Sequence, residues 1–500
     1  MEKWVVTAKK ADFQGIGRKY GIDPVIARII RNRDITGDEA IEEYLNGTLA
    51  DIPSWKLLKD IDKAVEIISG KIDAGTKMRI IGDYDIDGVT ATYILLKGFK
   101  RLGANVDTYI PDRVADGYGI HDHLIKKAME DGIDTIVTCD NGISASSQIT
   151  YAKELGMTVV VTDHHEVPFT DNEEGRTYIL PPADAIINPK QADCTYPNKN
   201  ICGAVVAMKL VFALYEKYRL PEEEKEDFLE PAAIATVGDI MDLQGENRIL
   251  VKEGLARLPF TKNKGLKALI RAIGLEDQKI TSYDIGFRLG PCINASGRLD
   301  TAMRSLALLQ SEDEEEAAKL AGDLKALNDS RKALTEKGTE EAYKLIESSD
   351  LKNDRVMVVF LPECHESLAG IIAGRIREKY NKPVFVLTKG ETKVKGSGRS
   401  IESYSMFEEL VKCGDLMEQY GGHPMAAGLS IKEENVEEFR RRLNENCMLT
   451  EKDLMPKIVI DVPMPVSYIN KELVEEISLL EPFGKGNTKP IFAQKGLRVL

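Results

Sequence analysis

The sequence predicts an α/β protein in which a parallel sheet is joined by a long helix to a second, smaller α/β unit. Short β-branched runs alternate with helical stretches between residues 78 and 218, which is typical of a parallel sheet covered by helices. A charged helical segment follows from Asp300, and two more β-branched runs flank a helical stretch after residue 353. A chain of 500 residues is also long enough for about two to four domains.

The first 300 residues divide into a lead-in and a sheet region. Residues 1–55 are interpreted as a small helical lead-in, and apolar residues at helical spacing predict a helix over 54–70. The region 56–300 then holds the alternating pattern. Its strands are predicted at 78–81, 106–110, 134–138, 158–162 and 185–188, and its helices at 89–102, 121–131, 144–155 and 203–218.

Three further regions follow. Residues 301–352 predict a connecting helix, with Leu320, Leu324, Leu327 and Leu334 on one stripe among charged residues. Residues 353–450 predict the second α/β unit, with strands at 356–360 and 383–387. Residues 456–500 begin a third unit with β-rich runs, and the chain stops at Leu500 within them, so this unit is expected to be incomplete.

Composition excludes several classes of protein. Hydrophobic residues make up 43% and charged residues 30%, which argues against disorder, and 40 glycines and 20 prolines argue against a collagen-like chain. No apolar run reaches the roughly 18 residues that a membrane span needs, and no secretory signal is visible, so a cytoplasmic protein is expected. Seven scattered cysteines without C-x-x-C argue against disulfides or a zinc knuckle. The net charge of −14 alone argues mildly against nucleic acid binding, but enzymes that hold metal ions in carboxylate clusters can be acidic overall, so it is weak evidence either way.

An acidic turn follows the first strand of the sheet region. Asp83, Asp85 and Asp87 alternate with other residues before Gly88, and three acids so close repel one another unless a cation lies among them. An EF-hand calcium loop begins with the same pattern. A strand rather than a helix precedes these acids, however, and Ile94 stands where the loop needs its glutamate.

Two later strands end in similar residues. One leads into Asp140, and another leads into Asp163, His164 and His165. Because the carboxyl ends of parallel strands share one edge of a sheet, these side chains are expected in one crevice with the acidic turn. A further acid, Asp239, interrupts an apolar helix and is expected to join them.

The chemistry of this set indicates hard metal ions. Carboxylates with one or two imidazoles and no thiolate suit Mn²⁺ or Mg²⁺ better than zinc. Four or more acids favour two ions over one, and two ions about 3.5–4 Å apart can clamp a phosphoryl group and activate a water. The sequence therefore predicts a two-metal phosphoester hydrolase.

Several motifs of the chain resemble the DHH phosphoesterase superfamily and, within it, the RecJ family of single-strand-specific DNA exonucleases. The four metal motifs of that superfamily are matched in order by GDYDIDGVT (82–90), TCDNG (138–142), VVVTDHHE (159–166) and ATVGDIMDL (235–243). Further RecJ-type segments are matched by residues 110–120, 187–210, 289–302, 365–376, 396–400, 420–429 and 480–492, the last resembling the opening of an oligonucleotide-binding (OB) barrel.

The resemblance implies a role for each of these residues. It implies metal coordination by Asp83, Asp85, Asp140, His164 and Asp239, and a catalytic role for Asp87. His165 would approach the scissile phosphate, and Asp163 would orient a histidine. The activity implied is hydrolysis of single-stranded DNA from 5′ to 3′ in repair and recombination, with Mn²⁺ or Mg²⁺ as cofactor.

Other residues are implied to bind DNA. Arg113, with Tyr118 nearby, and Arg298 would contact the strand near the metals. Ser397 and Arg399, in what the glycines suggest is a turn with free backbone amides, and His423 would contact phosphates in the second unit. Cys292 stands where RecJ-type chains usually carry a basic residue, which removes one expected contact.

Two alternative functions stay open on sequence grounds. An enzyme of the same superfamily could cleave cyclic dinucleotides or very short oligonucleotides instead, and a non-enzymatic DNA-binding scaffold could share the fold. The barrel start and the long spacer helix favour the exonuclease over the first, and the intact acids favour it over the second. The resemblance also implies a single-strand-binding protein and a helicase as partners. The protein is expected to be a monomer and not to bind a membrane.

Overall fold

The computed structural model describes residues 2–113, 115–117, 119–172, 175–390 and 393–497. The chain forms two compact units, each with one five-stranded sheet, and the predicted α/β class is confirmed. The larger unit consists of Thr7–Leu327 and Asp461–Leu500, and the smaller unit of Met1–Val6 and Asn328–Ile460.

The sheet of the larger unit is wholly parallel. Its strands lie in the order Val106–Tyr109, Met78–Ile81, Thr135–Cys139, Thr158–Thr162 and Ala185–Ile187. Numbered along the chain, this order is 2-1-3-4-5, so the winding reverses between the first strand and the third. In such sheets ligands bind at the carboxyl edge beside that reversal.

Helices cover both faces of this sheet and continue beyond it. Within the larger unit they are Phe13–Tyr20, Pro24–Asn32, Asp38–Asn46, Ile61–Asp73, Ile86–Arg101, Asp122–Glu130, Ser146–Glu154, Gly203–Lys217, Leu229–Gly238, Gly245–Arg257, Lys264–Ala272, Ser282–Asp284, Gly290–Leu299, Met303–Gln310 and Lys471–Ile477. A π-helical turn, Ile285–Leu289, precedes Gly290–Leu299, and a two-stranded hairpin, Phe169–Asn172 with Gly175–Tyr178, follows the fourth strand of the sheet.

The core of the larger unit is built around two helices. Ile86–Arg101 and Gly203–Lys217 are buried around nearly their whole circumference and pack on each other. Gly98 permits this contact, because a Cβ there would be 2.6 Å from Val211 Cγ2. The acidic turn at the start of the first helix is therefore held against a dense core.

A buried arginine ties the last segment of the chain to the first helices. Arg248 is almost fully buried, and its guanidinium donates to the carbonyl oxygens of Tyr44, Leu479 and Leu480 at 2.8–3.0 Å. Two short strands, Val462–Pro463 and Phe492–Ala493, pair in parallel in the same terminal segment. Backbone oxygens thus satisfy this buried cation.

The sheet of the smaller unit is mixed. Its strands lie in the order Met417–His423, Ala426–Ile431, Val394–Arg399, Val384–Lys389 and Met357–Phe360, and only the last two run parallel. Its helices are Ala369–Tyr380, Met406–Val411 and Val436–Asn446. The long helix Glu314–Ser348 lies across the division between the units.

The interpretation of residues 394–399 as a turn with free amides is wrong. This segment is an interior strand whose backbone pairs on both sides. Its glycines serve close packing instead, since a Cβ on Gly396 would be 2.4 Å from Leu387 Cδ2 and one on Gly398 would be 2.3 Å from Met406 Sδ. The segments 417–423 and 426–431 were likewise missed as strands.

Two expectations for the first 70 residues differ from the structure. The helix expected over 54–70 is Ile61–Asp73, because Ser54 instead caps a short 3₁₀ turn, Trp55–Leu57. The lead-in is not wholly helical, since Lys3–Val6 is a strand and pairs in parallel with Lys457–Ile460. Across the described ranges, no helix combines the length and the apolar character that a membrane crossing demands.

Candidate metal centre

The acidic turn lies at the point where the winding of the parallel sheet reverses. Strand Met78–Ile81 ends in Gly82, where a Cβ would be 1.9 Å from Thr92 Oγ1, so only glycine fits between strand and helix. Asp83 follows and is buried. Asp85 caps helix Ile86–Arg101 by accepting hydrogen bonds from the amides of Asp87 (2.9 Å) and Gly88 (3.1 Å).

Asp87 has a structural role that spacing alone does not reveal. Its two carboxylate oxygens accept hydrogen bonds from the amides of Gly203 (2.6 Å) and Ala204 (2.8 Å) at the start of helix Gly203–Lys217. The positive end of that helix therefore stabilises the Asp87 charge. One of the same oxygens lies 3.6 Å from His164 Nε2, so Asp87 also borders the metal residues.

Asp140 reaches the site through an unusual backbone conformation. It follows strand Thr135–Cys139 with a φ of 59°, in the left-handed region that aspartate tolerates better than most residues. Its Oδ1 lies 3.1 Å from His164 Nε2. His164 Nε2 is also 3.6 Å from Asp239 Oδ2, so this imidazole is central to the acids.

Asp163 organises the two histidines instead of entering the cluster. It accepts hydrogen bonds from the amides of Ile143, His164 and His165, and its Oδ1 lies 2.8 Å from His165 Nδ1. Burial alone would raise the pKa of Asp163, but the hydrogen bond and charge of His165 lower it to about 2. The same contact outweighs burial at His165 and raises its pKa to about 9.

Asp239 is presented by the end of helix Leu229–Gly238. The chain leaves this helix through a Schellman motif, in which Ile240 N–H bonds to the Val237 carbonyl and Met241 N–H to the Thr236 carbonyl. Glycine usually occupies the left-handed position of this motif. Here Ile240 holds it with a φ of 57°, at a cost of about 1–2 kcal/mol.

These side chains form three adjoining groups whose ligand atoms lie within 4.8 Å of one another in each group. The groups are Asp83 with Asp85 and Asp140, Asp140 with His164 and His165, and Asp87 with His164 and Asp239. Asp140 and His164 are each shared by two groups, as residues between two metal ions would be.

Two buried oxygens support a metal centre. Among the described residues, Asp83 Oδ1 and Asp239 Oδ2 are buried without any hydrogen-bond donor. An unsatisfied buried carboxylate oxygen is costly, and a hard divalent cation would satisfy it. The donors present, carboxylate oxygens and imidazole nitrogens, therefore fit Mn²⁺ or Mg²⁺.

The electrostatics of the cluster point the same way. Burial, reinforced by the neighbouring acids, raises the pKa of Asp83 and Asp140 well above the usual carboxyl range. Burial and the charges of Asp87 and Asp85 raise the pKa of Asp239 to about 8. Burial lowers the pKa of His164, which keeps its imidazole neutral and able to ligate.

A cavity of about 290 Å³ opens onto these residues. Its walls include Asp83, Asp85, Asp140, His165, Asp239, Tyr84, Asn294, Arg113 and Arg298. The Arg113 guanidinium lies 4.7 Å from the centre of the Tyr84 ring. Two arginines and a group of acids thus line one cavity, as expected for a site that takes a phosphodiester beside metal ions. Tyr118 lies outside the described residues.

Sequence reasoning missed Asn294 and Tyr84. Asn294 accepts a hydrogen bond from the Ile86 amide at 2.9 Å, and it lies four residues before Arg298 on the same helical face. This four-residue spacing from Arg298 could have identified Asn294 as a site residue from the sequence. Cys292 is buried in the apolar core of the larger unit, with its Sγ 3.3 Å from the Arg288 carbonyl oxygen.

The predicted phosphate contacts of the smaller unit lie on one face of its sheet, with Ser397 two residues before Arg399 on the same strand. Arg399 pairs with Ala426, which pairs with His423, so all three side chains project from the same face. Arg399 Nη1 donates to Ser397 Oγ at 3.1 Å, and both side chains lie against Gly370 at the start of helix Ala369–Tyr380. A Cβ on Gly370 would be 2.7 Å from Arg399 Nη2.

The fold and the site together define a DHH-type protein. Residues 77–236 match the family model described as the DHH family, N-terminal domain, residues 353–448 match the DHHA1 domain, and residues 460–500 match the RecJ OB domain.

Known proteins that match nearly the whole chain show which DHH-type family it belongs to. The single-stranded-DNA-specific exonuclease RecJ of Escherichia coli (strain K12) is 34% identical over 94% of this chain and 83% of its own length. RecJ of Bacillus subtilis (strain 168) is 37% identical over 98% of this chain, which spans 61% of that relative's length. The chain belongs to the RecJ family, which confirms the resemblance.

Solved structures agree with this assignment. The crystal structure of RecJ in complex with Mn²⁺ from Thermus thermophilus has a TM-score of 0.84 and 31% identity, covering 98% of this chain and 69% of that chain. A second structure from the same organism is of RecJ in complex with Mg²⁺, with a TM-score of 0.78 and 29% identity over 98% of this chain and 67% of that chain. Metal-bound relatives therefore share the fold.

Proposed function

We propose that this chain is a metal-dependent exonuclease that hydrolyses single-stranded DNA from 5′ to 3′ in DNA repair and recombination. The observation that carries the proposal is the set of three adjoining ligand groups, linked through Asp140 and His164. Members of all three groups line a cavity together with two arginines. Relatives named as single-stranded-DNA-specific exonucleases support the substrate.

Asp83, Asp85, Asp140, His164 and Asp239 are proposed to hold two Mn²⁺ or Mg²⁺ ions. When bound, such ions polarise the phosphodiester, lower the pKa of a water and stabilise the leaving oxygen. Asp87 accepts hydrogen bonds from the first amides of helix Gly203–Lys217 and lies 3.6 Å from His164 Nε2, so it ties this helix to the edge of the proposed metal centre.

His165 and the two arginines are proposed to receive the phosphate. Asp163 orients His165 through Nδ1 and raises its pKa to about 9, so the imidazole is protonated at neutral pH and presents a positive charge at the cavity. Arg113 and Arg298 add cationic donors on the cavity wall. These groups can neutralise the charge that develops as a phosphodiester is attacked.

In the smaller unit, Ser397, Arg399 and His423 are proposed to hold phosphates of the strand. Their support is the sheet face that they share and the start of helix Ala369–Tyr380, which lies against Ser397 and Arg399. Region 56–300 is accordingly assigned to catalysis and 353–450 to substrate binding. A monomer acting in the cytoplasm, with a single-strand-binding protein and a helicase as partners, completes the proposal.

One digest tests the activity. Oligonucleotides labelled at either end are incubated with Mn²⁺, with and without a chelator, as single strands, duplexes and dinucleotides. The proposal expects mononucleotide release from the 5′ end of long single strands, and none with chelator. A preference for dinucleotides over strands of about 20 nucleotides would show the alternative phosphodiesterase, and metal-independent binding without cleavage would show a scaffold.

A further inference from the structure

Three large apolar side chains stand exposed on the segments that carry residues of the metal cavity wall. Tyr283, Phe287 and Ile240 are 64%, 65% and 65% exposed, and we call them the apolar ledge. The rings of Tyr283 and Phe287 stack on each other, with centroids 4.7 Å apart and planes inclined by 24°. Exposed large apolar groups close to a functional site in the chain are typical of a binding surface.

The ledge is continuous with the cavity wall. Ile240 directly follows Asp239, and Phe287 belongs to the π-helical turn that leads into the helix of Asn294 and Arg298. The two parts pack together, since a Cβ on Gly286 would be 3.8 Å from Val237 Cγ1. Ile86, at the start of the acidic turn's helix, lies against both Gly238 and Gly290.

The backbone under the aromatic rings is firmly held. Thr281 and Asp284 form a reciprocal capping box, and Arg288 donates to Asp284 Oδ1 (3.1 Å) and to the carbonyl oxygen of Ile273 (2.8 Å). Ser282 Oγ donates to the carbonyl oxygen of Phe483. The rings are therefore displayed on a rigid support, which reduces the entropy lost when a ligand binds.

Ile240 adds a sign of functional constraint. Its left-handed backbone suits glycine, and the exposed side chain gains little from burial. Strained residues of this kind gather at functional sites, where the side chain is needed for another reason. A π-helical turn under Phe287 is a feature of the same type.

We propose that Tyr283 and Phe287, with Ile240 beside them, bind an unpaired base of the strand whose phosphodiester enters the cavity. This inference rests on the proposed function and names a contact that selects single strands. An unpaired base offers its ring faces and edges to the ledge, whereas bases in a duplex are already stacked on their neighbours. The arginines of the adjoining wall hold phosphates, so base and phosphate are bound side by side.

The test compares wild type with the double variant Tyr283→Ala/Phe287→Ala. Binding of a fluorescent oligothymidine is measured by anisotropy in chelator, and hydrolysis of a small chromogenic phosphodiester is measured with Mn²⁺. Stacking on one aromatic surface predicts roughly tenfold weaker binding, with unchanged kcat on the small diester. Phe260→Ala removes an aromatic that is 84% exposed and is not part of the cavity wall, and it serves as the matched control.

A strand with abasic sugars near its 5′ end makes the test specific for bases. Wild type and the double variant should bind this strand alike, because the ledge then has no base to hold. An equal loss on abasic and base-containing strands would overturn the inference, as would unchanged binding of both. Tyr283→Trp/Phe287→Trp should retain binding, and Tyr283→Leu/Phe287→Leu replaces the alanine variant should that fail to fold.

The two proposals fail in different ways. If wild type releases no nucleotides from single strands, the proposed exonuclease is wrong, whatever the ledge variants do. If wild type digests strands and the double variant digests them with the same KM and the same preference over duplexes, the ledge inference alone is wrong.

Discussion

The carboxyl edge of the larger unit's sheet and the Arg399 row of the smaller unit's sheet handle charge in opposite ways. At the first, acids are buried close together, and burial raises the pKa of Asp83 and Asp140 because little compensates them. At the second, Arg399 is half-buried and donates to Ser397 Oγ and to the Gly398 carbonyl, and His423 is exposed. The acids of the larger unit therefore need added cations, whereas the Arg399 guanidinium finds hydrogen-bond acceptors on its own strand.

This difference suits the two regions to different roles: the acidic edge to metal-dependent catalysis, and the Arg399 row to binding of the strand. Buried, mutually repelling acids destabilise the metal-free fold but hold a divalent cation strongly, because removing repulsion adds to the binding energy. A half-exposed arginine interacts more weakly with a phosphate, because solvent and salt screen the charges. Such a residue contributes to the affinity for DNA and not to the chemical step. Mutations at the two places should therefore change different quantities.

The largest effect is expected from Asp140→Asn, which removes a ligand shared by two metal groups. Asparagine tolerates the left-handed backbone, so the fold should survive. We expect nuclease activity to fall by about a hundredfold or more, while thermal unfolding in chelator shifts to higher temperature as repulsion is relieved. Asp277→Asn, at an exposed left-handed aspartate with a φ of 64°, is the matched control. Near-full activity in the Asp140 variant would remove it from the metal centre.

Asp163→Asn should have the next largest effect. It leaves the ligands in place but removes the charge that keeps the pKa of His165 at about 9. We expect activity to fall by roughly 10–100-fold, and the alkaline limb of the pH–rate profile to move to lower pH. Titration of His165 by NMR checks the cause directly. An unchanged His165 pKa would show that Asp163 acts only through the hydrogen bonds that it accepts from backbone amides.

The pH dependence of the metal-free protein tests the acidic edge as a whole. The pKa of Asp239 is raised to about 8, so the folded state holds this proton more tightly than the unfolded chain, in which a carboxyl titrates near about 3.9. Its stabilising effect is complete below that lower value and is lost as pH rises through about 8. Unfolding in chelator should therefore occur at lower temperature at about pH 9 than at about pH 6, and Mn²⁺ should raise the midpoint more at the higher pH. A midpoint that rises with pH in chelator would contradict the raised pKa.

Arg399→Ala should give a smaller and different change. Losing one phosphate contact predicts weaker binding of single strands of any sequence and a slope of log affinity against log salt reduced by about 0.7. Activity on a small phosphodiester should stay unchanged. Arg441→Ala, at an exposed arginine on helix Val436–Asn446 of the same unit, is the control. A loss of small-diester activity would instead place Arg399 in the chemistry.

The smallest effect is expected from Ile240→Gly, which relieves the left-handed strain in the Schellman motif. The free energy of unfolding should rise by about 1 kcal/mol, measured by denaturant titration. Single-strand binding should weaken by a few-fold at most, because one member of the ledge is lost. A decrease in stability would show that the Ile240 side chain is held by packing.

Parts of this molecule could be read from its sequence for clear physical reasons. The apolar strands of the parallel sheet and the polar residues that end them were recognisable, because residues placed directly after parallel strands gather at one carboxyl edge. The role of Asp87 was not, since its partners, the amides of Gly203 and Ala204, lie more than a hundred residues away. The strand Val394–Arg399 was missed because its glycines imitate a turn, and only the neighbours Leu387 and Met406 explain them.

The three carbonyl acceptors of Arg248 have a consequence for anyone who shortens this chain. Two of them belong to Leu479 and Leu480, so a fragment ending before those residues would leave a guanidinium sealed inside the protein with a single acceptor. Such a fragment would have to admit water or open locally around Tyr44. Trimmed versions should therefore keep at least the first part of the terminal segment, even where only catalysis is wanted.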